Sequence, residues 1–269
     1  MIPSKQIVLI CAVLAGCSPS VEIASPVLEK AIRKQLDKSK GDLTKADLDK
    51  ITNLDLEYKN LTELPEGLEK LTNLEELNLC LNHQIDVSSL KELVHLTSLR
   101  LCENKMTDVK GLEKLTQLRD LDLYGNQLND VTGLENLTNL KQLTLNLNKL
   151  TNVKGLEKLT QLELLFLNQN KLTNVKGLEK LTQLRHLYLY GNQLNDITGL
   201  ENLTQLEHLS LDQNKLTSIK GLEKLTQLKF LSLRNNELTK AQINELQKAP
   251  YGNEVSLSED KEYFIKKMN

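Results

Sequence analysis

The sequence contains no tryptophan, and its three phenylalanines and six tyrosines make up only 3% of 269 residues. Any core must therefore be aliphatic, and each aromatic residue that does occur needs a positional explanation. Neither sign of charge is in excess: 34 Lys and Arg against 36 Asp and Glu leave a formal net charge of -2. The charges are interspersed, which gives no basic stripe for nucleic acid and no polybasic patch for anionic lipid. Catalytic signatures are missing too. There is no HExxH or CxxC metal motif, no Ser, His and Asp set in a nucleophile motif, and no glycine-rich phosphate loop after a strand. The expectation is a chain that is not an enzyme and that carries no cofactor and no metal. The one long apolar run is N-terminal and too short to cross a bilayer as a helix, which needs about 20 apolar residues.

That N-terminal segment, MIPSKQIVLICAVLAGC, has a short start with Lys5, an apolar run from Ile7 to Ala15, then Gly16 and Cys17. The pattern is that of a cleaved signal peptide over residues 1–16. Leu14-Ala15-Gly16-Cys17 resembles the bacterial lipobox. The resemblance implies acylation of the Cys17 thiol, cleavage before it, and a mature chain held in the cell envelope by lipid. Ser18 after the cysteine implies outer-membrane sorting where the cell has two membranes.

From Ile51 onward the pattern LxxLxLxxN recurs, with Asn82, Asn104, Asn126, Asn148, Asn170, Asn192, Asn214 and Asn236 each 22 residues apart. This resembles the leucine-rich-repeat family in its 22-residue class, that of the internalins and of a phosphatase-regulatory subunit. The resemblance covers about three quarters of the chain, residues 51–249, as nine coils. In one copy Leu118, Leu121, Leu123, Leu128, Val131, Leu134 and Leu137 recur at fixed offsets and point inward. Leu121 and Leu123 alternate with Asp120, Asp122 and Tyr124, the period of a half-buried strand. A single coil has too few apolar groups for a core, so neighbours stack and their strands form a parallel sheet. The return segment is too short for a full α-helix. The expected fold is thus an α/β repeat, a leucine-rich-repeat solenoid with a concave parallel sheet and an irregular or 3₁₀ convex side.

The repeated Asn is expected to turn into the interior, where a carboxamide donates and accepts at once, so the eight Asn residues read as a structural ladder. The first coil carries Lys59 in place of Asn, and the second carries Gln84 where later coils have Met106, Leu128 or Leu150. After a short linker at 17–25, Ser25 and Pro26 open a helical N-cap over residues 26–50, with Val27, Leu28, Ile32 and Leu36 at helical spacing. Thr44 to Asp47 and Thr239 to Gln242 have capping-box spacing, the second preceding a helix over the last coil. Residues 250–269 read as one short strand, around Val255 and Leu257, then a disordered charged tail.

Information about a partner should lie in the solvent-facing strand positions. Leu164, Phe166, His186, Tyr188, Tyr190, His208 and Phe230 fall in the C-terminal half, whereas Asp55, Glu57, Glu76, Asp120 and Asp122 make the N-terminal half acidic; Tyr124 lies between them. The expected partner is a protein with an apolar element toward the C-terminal coils and a basic one toward the N-terminal coils. A carbohydrate or cell-wall ligand is the alternative, since Tyr and Phe faces beside Asn and Asp also suit sugar rings. His186 and His208 share a column near Asp212, but on an open sheet they lack enclosed metal geometry. Cys80 and Cys102 also share a column in adjacent coils. Sheet spacing brings their Cα atoms within disulfide range but holds the Cβ atoms farther apart than the roughly 3.8 Å a disulfide prefers. That argument favours two free, exposed thiols over a disulfide.

Overall fold

The computed structural model describes residues 19–82, 85–246, 254–256 and 265–267. The signal segment with Cys17, Gln84 of the second coil, and Tyr251 and Leu257 of the tail lie outside the described residues. Nine strands of three residues each follow, β2 23 residues after β1 and the rest at the 22-residue repeat: β1 Asn53–Asp55, β2 Glu76–Asn78, β3 Ser98–Arg100, β4 Asp120–Asp122, β5 Gln142–Thr144, β6 Leu164–Phe166, β7 His186–Tyr188, β8 His208–Ser210 and β9 Phe230–Ser232. Each pairs in parallel with the next. The middle leucine of every strand is buried, and on the other face its neighbours remain at least partly open in the first eight strands. Equivalent leucines stack along the array, each fully buried one stabilising by about 1.5–3 kcal/mol.

The return side is made of short turns. Leu134, Leu137 and Leu140 donate their N–H groups to the carbonyls three residues earlier at 2.9–3.1 Å. In four coils this tightens into 3₁₀ segments, at Leu68–Lys70, Ser88–Glu92, Leu200–Asn202 and Leu222–Lys224. The turn begins at a glycine for two reasons, seen at Gly155. Its φ is +100°, and a Cβ there would lie 2.6 Å from the carbonyl oxygen of Val131 in the preceding coil.

The asparagine ladder explains how stacked coils satisfy the backbone where it leaves the sheet. Asn148 Nδ2 donates to the carbonyls of Leu123 and Leu145 at 3.0 and 3.1 Å, and its Oδ1 accepts from Leu128 N at 3.0 Å. Each asparagine therefore reaches back to the coil before it. Asn82 does the same, its Oδ1 accepting from Lys59 N and Leu61 N at 3.0 and 3.1 Å. The first coil has no predecessor to reach, and this is why Lys59 serves where asparagine recurs elsewhere.

At the N-terminal end α1 (Pro26–Gln35) starts at Ser25, whose Oγ accepts from Leu28 N, and buries Leu28 and Ile32 against the first coil. The helical turn α2 (Lys45–Leu48) is set by a reciprocal capping box between Thr44 and Asp47. At the other end α3 (Lys240–Leu246) follows a second such box, with Gln242 N donating to Thr239 Oγ1 and Gln242 Oε1 accepting from Thr239 N. The tail differs from the single strand and disordered end read from sequence. β10 (Glu254–Ser256) pairs in parallel with β9, and β11 (Ile265–Lys267) pairs antiparallel with β10. β9 alone would present an unpaired row of N–H and C=O groups, and two added strands carry that edge away from the last coil.

Candidate interaction surface

The strand register sorts the solvent-facing residues into rows. One runs Gln142, Leu164, His186, His208, Phe230 and the next Thr144, Phe166, Tyr188, Ser210. Parallel in-register pairing sets like positions side by side, so the rings lie face to face. Phe166 and Tyr188 stack with centroids 4.7 Å apart and planes 12° off parallel. His186 stacks on His208 at 4.7 Å, and His208 on Phe230 at 6.0 Å. Offset stacks of this kind add about 0.5–1.5 kcal/mol beyond area burial. Leu164, Tyr190 and all the stacked rings remain half-exposed, so stacking consumes one face of each ring and leaves the row open. Burial disfavours the imidazolium at His186 and pulls its pKa below the ordinary histidine value, with the neighbouring His208 acting the same way.

Toward the N-terminus the face is acidic but not uniformly so. Arg100 stands in register between Asn78 and Asp122. Burial raises the Asp120 carboxyl; the Arg100 charge opposes that shift and the Glu76 charge adds to it. Asp122 uses Oδ1 to accept from Tyr124 N at 3.0 Å. Tyr124 is half-exposed beyond the end of β4.

That last contact belongs to a pattern absent from the sequence reading. The amide two residues beyond the last residue of each strand needs an acceptor once the strand has ended. In coils whose strand ends in Asp or Asn, that residue's own side chain supplies it, as Asp55 does for Glu57, Asn78 for Cys80 and Asp122 for Tyr124. In several others the acceptor comes from the preceding coil: Cys80 Sγ for Cys102 N, Asn146 for Asn168 N, Asn168 for Tyr190 N and Asp212 for Arg234 N. Asp212 also accepts from Ser232 Oγ at 2.5 Å, so its carboxylate serves the array rather than the histidine pair.

Two further features were missed. Lys141, Glu163, Arg185, Glu207 and Lys229 alternate in sign at 22-residue spacing just before the strands. Lys141 pairs with Glu163 at 3.0 Å, and both Arg185 and Lys229 bind Glu207, lowering its pKa to about 2. This column was legible from its period. Leu147 is 39% exposed at φ +56°, where equivalent positions hold Gly125 and Gly191; a leucine in that conformation is unusual. Leu81 repeats it in the second coil, also 39% exposed with φ +59°, and the signal of both was an apolar residue in a column that elsewhere holds Glu103, Gly125, Gln169, Gly191 and Gln213.

The cysteines require a correction. Cys80 and Cys102 are joined by a disulfide, with Cα atoms 4.5 Å apart, rather than being two free thiols. Cys80 is also buried, not exposed. The expectation failed because it applied regular sheet spacing to residues beyond the ends of β2 and β3, where the chain is already turning and Leu81 and Glu103 have positive φ. There the Cα atoms approach more closely and the side chains converge.

Stacked 22-residue coils, an inward asparagine ladder and an open parallel sheet define a leucine-rich-repeat solenoid. A family model for Leucine Rich repeats (2 copies) matches residues 94–136, 160–202 and 204–248. Internalin C2 of Listeria monocytogenes is 33% identical with a TM-score of 0.74, over 81% of this chain and 94% of that one. A leucine-rich-repeat protein of Leptospira interrogans is 32% identical with a TM-score of 0.72, over 78% of this chain and 55% of that one. A second Listeria monocytogenes internalin, inlF, is 25% identical with a TM-score of 0.52, over 88% and 90% respectively. A comparison with curated proteins found no match. The chain belongs to the leucine-rich-repeat family, in its internalin-like bacterial form with 22-residue repeats.

Proposed function

We propose that this chain is an exported protein-binding module, held at a membrane by lipid on Cys17, that grips its partner on the concave face of the C-terminal coils. The observation that carries the reading is the half-exposed row of Leu164, Phe166, Tyr188, Tyr190, His186, His208 and Phe230 on an otherwise polar sheet. Aligned aromatic and apolar groups supply much of the energy of protein interfaces, and neighbouring near-neutral contacts exclude water from them. Arg100 interrupts the acidic half of that face, standing in register beside Asp122 and acting by charge on Asp120. The export and anchoring part rests on the Leu14-Ala15-Gly16-Cys17 motif. Among the described residues no helix is long and apolar enough to cross a membrane.

A carbohydrate ligand would need free polar groups beside the rings. Thr144 and Ser210 stand in register beside Phe166 and Tyr188, whereas Asn146, Asn168 and Asp212 each accept a backbone amide. The test is capture of partners from intact cells by the protein and by a variant with Phe166, Tyr188 and Tyr190 all changed to Ala. A protein enriched only by the unaltered chain supports the assignment. Equal enrichment by both removes the aromatic row from the interface, and competition by envelope glycans turns the reading to carbohydrate. Acyl-chain mass on the mature N-terminus, lost in Cys17→Ser, tests the anchor separately.

A further inference from the structure

The disulfide lies in a three-residue cluster that the repeat itself does not call for. Cys80 Sγ, Cys102 Sγ and a carboxylate oxygen of Asp122 all lie within 4.8 Å of one another. Among the described residues this is the set of three His, Cys, Asp or Glu side chains whose ligand atoms converge so closely. The three come from consecutive coils, just beyond β2, just beyond β3 and at the end of β4. The positions matching the cysteines in later coils carry Tyr124, Asn146, Asn168, Tyr190, Asp212 and Arg234, so the scaffold accepts almost any side chain there. Two cysteines in succession are a local feature, placed where an Asp of the next coil faces them.

We propose that the reduced Cys80–Cys102 pair, together with Asp122, binds a thiophilic divalent cation of the zinc type, and that the disulfide is the metal-free state of the same site. Two thiolates and one carboxylate match the ligand preference of such an ion. Bonds of about 2.3 Å to sulfur and 2.0–2.2 Å to oxygen place ligand atoms roughly 3.3–3.8 Å apart around one tetrahedral ion. With the ligand atoms all within 4.8 Å of one another, side-chain shifts of about 1 Å bring them to that spacing once the sulfur–sulfur bond is open. Calcium and magnesium take six or more oxygen ligands, which this site does not offer. Asp122 gives one oxygen to Tyr124 N, a bond that fixes the carboxylate while leaving it acceptor capacity, as hydrogen-bonded metal ligands commonly do. Cys102 and Asp122 are partly exposed and Cys80 is buried, so an ion enters from the concave face. Three protein ligands leave the fourth position for water or for a partner's side chain.

The two states interconvert by thiol–disulfide exchange with a small-molecule thiol, RSH, and its disulfide, RSSR. In the closing direction the two protein thiolates pass two electrons to RSSR, forming the protein disulfide and two RS⁻ while the cation leaves. In the opening direction two RSH reduce the protein disulfide to two thiols and become RSSR. Cation binding then displaces the two thiol protons to solvent.

The test compares one protein in two oxidation states. The purified protein is reduced with a phosphine under inert gas, its fold checked by far-ultraviolet circular dichroism, and Co²⁺ titrated in while the near-ultraviolet sulfur-to-cobalt charge-transfer band is followed. The expected result is a band that saturates at a single equivalent in the reduced protein and is absent from the oxidised one. Cys102→Ser should abolish it, and Asp122→Asn should weaken binding by roughly tenfold or more. A folded, reduced protein with no band in excess Co²⁺ overturns the proposal, as does unchanged affinity in Asp122→Asn. Loss of the folded signal on reduction also overturns it, since the three ligands meet only on the stacked array.

Discussion

At the residue scale the question is which polar side chains hold the array together and which are left for a partner. Asn148 makes bonds to two carbonyls and one amide inside the stack, all buried; in Asn148→Ala the Leu128 amide loses its acceptor, while the Leu123 and Leu145 carbonyls keep Asn126 and Asn170 as donors. The substitution should lower stability by about 1–3 kcal/mol in urea titrations, the cost of one unmet buried polar group. Asn236 makes the same set of bonds but is only partly buried at the end of the repeats, so Asn236→Ala should cost about half as much. Equal losses at the two sites would show that burial does not set the cost. Glu207 supports a pH prediction. Its folded pKa of about 2, below the ordinary 4.5, means the ionised form is favoured by Lys229 and Arg185 in the fold. The stabilisation is therefore complete above pH 4.5 and is lost as pH falls through 2. Thermal midpoints between those limits should fall less steeply in Glu207→Gln than in the unaltered protein, and parallel curves would refute the assignment. The asparagine ladder was legible because its period is strict. The amide acceptors Asp122, Asn146, Asn168 and Asp212 were not, because two different positions share that task from coil to coil.

At the element scale the convex turns are held by glycines that look alike in sequence but differ in what surrounds them. Gly155 and Gly199 both have φ near +100°, so alanine is strained at either by about 1–2 kcal/mol. At Gly155 the added Cβ would also meet the Val131 carbonyl oxygen at 2.6 Å, whereas at Gly199 its nearest neighbour is Glu179 Cβ at 3.6 Å. Gly155→Ala should therefore destabilise by a further 1–3 kcal/mol or so, as overpacked sites do. Calorimetry on the two variants separates the backbone cost, common to both, from the overlap, present in one. A Gly199→Ala loss as large as that of Gly155→Ala would make coil contact irrelevant. The strands, the turns and both capping boxes could be read from spacing alone. The disulfide could not, since whether two cysteine side chains meet depends on where each strand ends, and β2 and β3 end two residues before Cys80 and Cys102.

At the scale of the whole molecule the architecture follows from the sequence because each coil touches only its neighbours, so one well-read repeat gives nearly all of them. What stayed illegible varied from coil to coil: the acceptor swaps, the outward Leu81 and Leu147, and the second strand of the tail. The same one-dimensional logic governs how a local change spreads. The Cys80–Cys102 bond closes a loop of 22 residues between the second and third coils. Removing it restores denatured-chain entropy worth about 3 kcal/mol. In a compact globule that loss would be shared by every residue in a single transition. In a stack whose stability is a sum of repeat and interface contributions, it acts first on the bonds that join those two coils. Leu79 N to the Arg100 carbonyl, Leu81 N to the Cys102 carbonyl and Asn82 N to Asn104 Oδ1 are the bonds concerned. Hydrogen exchange after metal-free reduction should show these amides, and those of α1 outward from them, exchanging up to about 100-fold faster, since 1.4 kcal/mol corresponds to tenfold. Leu211 N and Leu189 N, which bond to Ser232 and Ser210 far along the array, should keep their protection. Uniform acceleration from the first coil to the last would mean that the solenoid opens as one unit. The aromatic row would then share the fate of the N-terminal coils, and a partner gripping Phe166 and Tyr188 would sense the oxidation state of a disulfide three coils away.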